Sequence, residues 1–455
     1  MSHESSRPSA PSNFRVPTLT FGAETRYFYT IRTPELSQSK RQWTEISCGR
    51  WERPTASACD GREHYSIFST LTVELNYPNV ESPQIATTVE GTKFVYEVPD
   101  EAALSHWLAS TFVVSDVESS DELYHQGSPF KHSKLYWLPR SSELVFRAHH
   151  QTIDGTGVLL FWHRYLCALA PPIKPITFGD EPARLAPVME DILGLEIQST
   201  EKDEQALGVL SEYISNAPGI GHTSRVGSAP SGRSNAADLT FSAAKTNRIV
   251  QACQAHGVTV TSALHAAHIQ ALTKHADPNS QTSRYVSANQ FNLRPYLPEP
   301  YSKDQYGVAV YYTTHPFKLA LPSTFWETAH ALHRYYSTSY KGNRPLLELN
   351  GHITRTLCNI VQTPEYLAAP VPTDVLVSSL GIAERYLQRK YGKSVVVKNL
   401  AVGVEVVLGL NMMFFYTFRD QLRLRYCFNE GFENLTDIER YLQEMEQVLN
   451  QELLS

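Results

Sequence analysis

Cysteine is scarce in this sequence: 455 residues hold six, Cys48, Cys59, Cys167, Cys253, Cys358 and Cys427, with no CxxC and no tight cluster. That scatter argues against a zinc site or a disulfide frame and suits reduced thiols in a reducing, cytoplasmic setting. Long Lys/Arg blocks are missing as well, and the net charge is −6. The chain therefore carries no electrostatic footprint for nucleic acid or for an anionic membrane surface. No uninterrupted apolar run is long enough to span a bilayer. The opening MSHESSRPSAPSNF lacks the apolar core of a secretory signal and reads as a mobile tail over 1–16. Neither a G-x-x-x-x-G-K-[ST] loop nor a G-x-G-x-x-G fingerprint occurs, which removes nucleoside triphosphates and dinucleotides from the ligand candidates.

What is present is a folded-protein composition, 42% hydrophobic with 11% aromatic residues, in a chain longer than a single core usually reaches. Two α/β lobes with mixed sheets are expected, 17–217 and 239–455, joined by a Gly/Ser/Pro-rich crossover at 218–238. In the first lobe, 69–77 and 92–98 read as strands, and 134–139 with 143–150 as a hairpin. After Gly155 the spacing turns helical, with Val158, Phe161, Trp162, Tyr165 and Leu166 on one side. In the second, 241–275 reads as two helices broken at Gly257, with Ser242 as N-cap. Residues 284–297 read as a strand entering a Pro turn, 306–314 as a strand, 323–336 as a helix and 412–428 as a hairpin. The closing helix at 435–449 shows a T-x-x-E capping box at Thr436 and Glu439, and a buried face of Ile438, Leu442, Met445 and Leu449.

The stretch RAHHQTIDGTG, 147–157, carries the chemistry. By average residue usage, HHxxxDG arises by chance in about one chain in a thousand of this length, and here it falls where a strand gives way to a helix. A histidine at a strand end can face a cleft, and its ordinary pKa lets it take a proton from a hydroxyl or an amine. Asp154 can shape the loop by accepting backbone N–H groups or by pairing with an arginine, and Gly155 permits a turn where a side chain would clash.

HHxxxDG resembles the signature of chloramphenicol acetyltransferase, of condensation domains of nonribosomal peptide synthetases and of related CoA-dependent acyltransferases. The motif, the crossover, the N-x-R strand end at 292–294 and the closing hairpin and helix together look most like stand-alone fungal acyltransferases of the trichothecene 15-O-acetyltransferase type. The DFGWG motif of the plant BAHD group is absent. The resemblance implies two chloramphenicol-acetyltransferase-like lobes with one active-site tunnel between them, in a monomer. It implies no bound cofactor and no metal, with acyl-CoA, acetyl-CoA first, as cosubstrate and a small-molecule alcohol such as a terpenoid or polyketide as acceptor. His150 maps to the general base, Asp154 to a structural carboxylate paired with Arg294, and His149 to a structural neighbour.

Ser378 and Ser379 of SSLG, and the backbone N–H of Gly155, are candidate oxyanion donors; Tyr311 and Tyr312 are candidates for the acceptor pocket. His265 and His268, three apart on a helix, could ligate a metal, but no third ligand follows at a suggestive spacing. Two rival functions remain: acyl transfer from a carrier-protein thioester, and a condensation-like scaffold that binds or guides a cyclisation without transferring an acyl group.

Overall fold

The computed structural model describes Thr30–Arg32, Ser66–Glu74 and most of residues 87–455. The expected tail at 1–16 lies outside the described residues. The largest sheet has six strands. At its centre Ser66–Glu74 and Glu143–His149 run antiparallel, and Lys134–Leu138 follows as the other arm of a hairpin. Phe112–Val114 adds in parallel at one edge. On the opposite side, Val395–Val404 pairs antiparallel with 66–74 and carries Lys390–Tyr391 beyond it. The sheet that bears the histidine motif thus draws strands from both sides of the 218–238 segment.

A second sheet has the order Leu376–Ile382, Met412–Phe418, Gln421–Asn429, Ser234–Thr240, so the last residues of the expected linker are already strand. Its hairpin turns at Arg419 and Asp420, both at positive φ, 51° and 64°, as a tight two-residue connection between twisted strands requires. Arg284–Asn292 and Tyr312–Ala320 form a separate antiparallel pair.

Alternation along the 412–418 strand decides the packing. Met412, Phe414, Tyr416 and Phe418 join Val397, Leu400, Val402 and Val404 in one core cluster, shared with Val158, Phe161, Trp162, Tyr165 and Leu166 of the helix Gly155–Leu169. The five helix residues are those that the spacing placed on one side, and Phe161 stacks on Phe146 at 4.0 Å. Met413 and Phe415 point the other way, into a core covered by the helices Ala243–Ala255, Val260–Lys274 and Leu435–Leu453. The break between the first two falls at Gly257, whose φ of +67° suits glycine, and Ser242 caps the first by accepting from Lys245 N.

Two expectations are corrected. The closing helix is capped by Asn434, whose side chain accepts from Asp437 N, not by a box at Thr436 and Glu439. The strand expected over 306–314 begins only at Tyr312, because the preceding backbone serves another purpose: Ala309 O accepts from Asp154 N at 3.1 Å. Among the described residues no helix is long and apolar enough to cross a membrane.

Candidate active site

The 143–149 strand ends by delivering His149 and His150 in opposite directions, since successive side chains alternate. His149 stacks on Phe130 with ring centroids 4.4 Å apart. The guanidinium carbon of Arg147 also lies 4.4 Å from the Phe130 centroid, and Arg147 pairs with the half-buried Glu405. His150 points the other way and retains accessible surface. Its ring lies 5.6 Å from that of Tyr312. Burial lowers its pKa below the ordinary histidine value, against the raising effects of a hydrogen bond to its own carbonyl and of the Asp154 charge. A neutral imidazole keeps one ring nitrogen with a lone pair free to accept a proton.

Asp154 is wholly engaged elsewhere. It is the N-cap of the 155–169 helix, accepting from Gly157 N at 2.6 Å. It also accepts from Tyr311 N at 2.7 Å and from Arg294 Nη1 at 2.9 and 2.8 Å. Both side chains are 3% exposed, so this is a buried ion pair whose every carboxylate bond is directed at structure. Arg294 gives its Nη2 to the carbonyls of Gly307 and Ala309 at 3.2 Å each. A charge-assisted knot of this kind fixes the loop 307–311 against the start of the helix.

Glycine is needed at this seam for space. A Cβ on Gly157 would meet Gly307 O at 2.7 Å, and one on Gly155 would meet Leu380 Cδ2 at 2.9 Å. Gly155 is not at positive φ; the sharp turn expected of it is replaced by close approach of the second sheet. Leu380 brings its strand, 376–382, to the motif. Ser378 lies opposite Phe414 in that sheet and shares its face with Leu376 and Leu380, which pack on the 155–169 helix cluster. Ser379 faces the other way and exchanges a hydrogen bond with Thr261 Oγ1 at 2.8 Å.

The two tyrosines separate likewise. Tyr312 is beside His150, whereas Tyr311 is 2% exposed. The Tyr311 hydroxyl donates to Pro187 O at 2.7 Å, and its ring lies 5.3 Å from the Arg294 guanidinium carbon. His265 and His268 are fully buried. The ring nitrogens of His265 bond to the hydroxyls of Tyr336 and Tyr285 at 2.9 and 2.7 Å, and His268 Nδ1 bonds to the hydroxyl of Tyr441. They are therefore not arranged as metal ligands. Sequence reasoning missed Glu405, which anchors Arg147 from just past the end of the 395–404 strand; an isolated acidic residue after VVVKNLAVGV gives no signal of that partnership.

No family model matches this chain. The acetyltransferase pigO of Monascus ruber is 27% identical over 455 residues, spanning 90% of this chain and 98% of that protein. In structure, the chain resembles the TRI3 trichothecene 15-O-acetyltransferase of Fusarium sporotrichioides, with a TM-score of 0.72 and 17% identity over 85% of this chain and 90% of that one. The first condensation domain of the CDA synthetase is similar at a TM-score of 0.56 and 14% identity, covering 86% and 92%. The chain has the fold of the trichothecene acetyltransferase and of condensation domains, and its full-length relative places it among the acyltransferases.

Proposed function

We propose that this protein transfers an acyl group, acetyl first, from acyl-CoA to a hydroxyl of a secondary metabolite of the terpenoid or polyketide kind, with His150 as general base. The observation that carries the reading is the division of labour within HHxxxDG. His150 keeps accessible surface and a basic nitrogen, while Asp154 spends every bond on the fold. A base held neutral by burial is ready for proton abstraction near pH 7.

In this mechanism Nε2 of His150 removes the proton of the acceptor hydroxyl as its oxygen attacks the thioester carbonyl. The tetrahedral oxyanion takes hydrogen bonds from the backbone N–H of Gly155, free of helical bonding at the first position of its helix, and from Ser378. Collapse breaks the C–S bond, and the imidazolium returns its proton to the CoA thiolate. Asp154 and Arg294 hold the seam that presents His150. One chain supplies both His150 and Tyr312, so a monomer suffices.

The test is thiol release from acetyl-CoA by the purified protein with a panel of polyketide and terpenoid alcohols. His150→Ala should slow turnover by about 10²–10⁴-fold; undiminished turnover in that variant removes His150 as the base. Transfer from an acylated carrier protein but not from CoA would move the donor to the condensation type. Tight acceptor binding without transfer from either donor would leave a scaffold.

A further inference from the structure

The strands 284–292 and 312–320 pair residue for residue, so each cross-strand pair presents both side chains on one face. One face carries Asn292 with Tyr312, Gln290 with Thr314, and Ala288 with Pro316. This face looks toward the motif. Tyr312 lies beside His150, Asn292 Nδ2 donates to the Tyr386 hydroxyl at 3.2 Å, and Ala288 shares a core cluster with Ile153 and Leu380. The other face is covered by helices: Asn289 donates to Tyr335, and Thr313 bonds to Asn350.

On the motif face the Gln290–Thr314 pair stands apart. Gln290 Oε1 and Thr314 Oγ1 are buried atoms with no hydrogen-bond partner among the described residues, although both residues retain accessible surface. Buried polar atoms are rarely left unpaired without a role. The pair lies two residues along the ladder from Tyr312, a rise of ~7 Å, on the same face and therefore within reach of a molecule whose reacting hydroxyl is at His150.

We infer, on the acyl-transfer reading above, that Gln290 and Thr314 form a polar subsite for a second hydroxyl of the acceptor, so that the enzyme selects diols and polyols over simple alcohols. The chemistry of the two atoms sets the ligand. An amide oxygen only accepts, so it requires a donor, and a hydroxyl supplies one where a ketone or ether does not. The same hydroxyl accepts from Thr314, which satisfies both protein atoms with one substrate group. Because the two oxygens are buried while both residues keep accessible surface, the subsite requires a side-chain torsion change in each residue when the hydroxyl binds.

The experiment compares trans-decalin-2,6-diol with trans-decalin-2-ol, a rigid pair differing in one distant hydroxyl. Binding of each is measured by calorimetry on the whole protein and on Thr314→Val, Thr314→Ser and Gln290→Leu. The wild type should bind the diol about tenfold tighter, and Thr314→Ser should keep that preference. In Thr314→Val and Gln290→Leu the preference should fall to within about twofold. Equal affinities in the wild type, no measurable binding of either alcohol, or a preference that survives both apolar substitutions overturns the subsite. Thiol release from acetyl-CoA is recorded in parallel. Diol preference without release leaves the subsite standing and removes the transferase reading, and release without diol preference does the reverse.

Discussion

Two buried polar knots tie this molecule together, and they are built from opposite materials. At the motif, Asp154 and Arg294 form an ion pair with backbone groups filling every remaining carboxylate bond. In the helical layer behind the second sheet, His265 and His268 meet the hydroxyls of Tyr285, Tyr336 and Tyr441. The first knot is charged and bridges segments far apart in sequence, 154 and 294. The second consists of groups whose burial favours the uncharged form: both histidines are pushed down, His268 to about 3, and Tyr336 and Tyr441 are pushed up. A charged knot depends on both partners being present, whereas a neutral one depends on the protons staying where they are.

Removing one partner of the charged knot should produce the larger effect. Arg294→Met leaves a carboxylate buried with only backbone donors and removes the guanidinium bonds to the carbonyls of Gly307 and Ala309. A loss of about 3–5 kcal/mol in unfolding free energy is expected, read by urea denaturation, together with a fall in thiol release as the loop beside Tyr312 loosens. The double variant Asp154→Asn with Arg294→Met should recover much of the stability, because no unpaired charge remains. If Arg294→Met costs under about 1 kcal/mol, the ion pair does not hold the seam.

The neutral knot should respond to acid instead. His268 titrates near 6.5 when unfolded and at about 3 when folded. As pH falls below 6.5 the unfolded chain binds the proton first, so stability declines from there down to the folded value. For His268 this is a loss of ~1.4 kcal/mol between pH 7.5 and pH 5.5, and His265, lowered by burial and by His268, acts in the same direction. His268→Leu keeps a partner for Tyr441, whose hydroxyl donates to the carbonyl of residue 268 at 2.9 Å. That variant should lose a smaller share of its stability between pH 7.5 and 5.5 than the wild type does. An unchanged pH dependence would rule out His268 as a source of the acid sensitivity. His150, also lowered by burial, differs in keeping accessible surface, so its titration should show in the rate: the acid limb of kcat/KM should have its midpoint below 6.5.

How far each knot was legible in the sequence follows from the range of its contacts. The motif announced itself because HHxxxDG is local, and the strand–turn–helix around it was readable from alternation giving way to helical spacing at Gly155. Gly257 and Ser242 were readable for the same reason, since caps and breaks are made by neighbours. The late start of the strand at Tyr312 was not, because Ala309 is withdrawn from pairing by Asp154, 155 positions away. Nor did any local pattern place 395–404 beside 66–74, or bring Glu405 to Arg147. Gln290 and Thr314 are ordinary polar strand residues until the register sets them opposite each other. His265 and His268 show the converse: a spacing that suits a metal is filled by tyrosines from three other elements.

The smallest effect separates two glycines of the motif that the sequence presents as alike. A methyl group on Gly157 would press on Gly307 O at 2.7 Å and Ala309 O at 3.2 Å. Both carbonyls are held in place by Arg294, so the backbone can yield only by disturbing the charged knot. A methyl on Gly155 meets one mobile atom, Leu380 Cδ2, which a rotamer change can move, and alanine favours the helical conformation by up to about 1 kcal/mol over glycine. Gly157→Ala should therefore destabilise by about 1–3 kcal/mol, the usual range for overpacking, while Gly155→Ala should stay within about 1 kcal/mol of the wild type. The order of the two urea midpoints is the measurement. If Gly155→Ala proves the more damaging, the seam at the motif is set by the second sheet through Leu380, and the ion pair is not what makes it rigid.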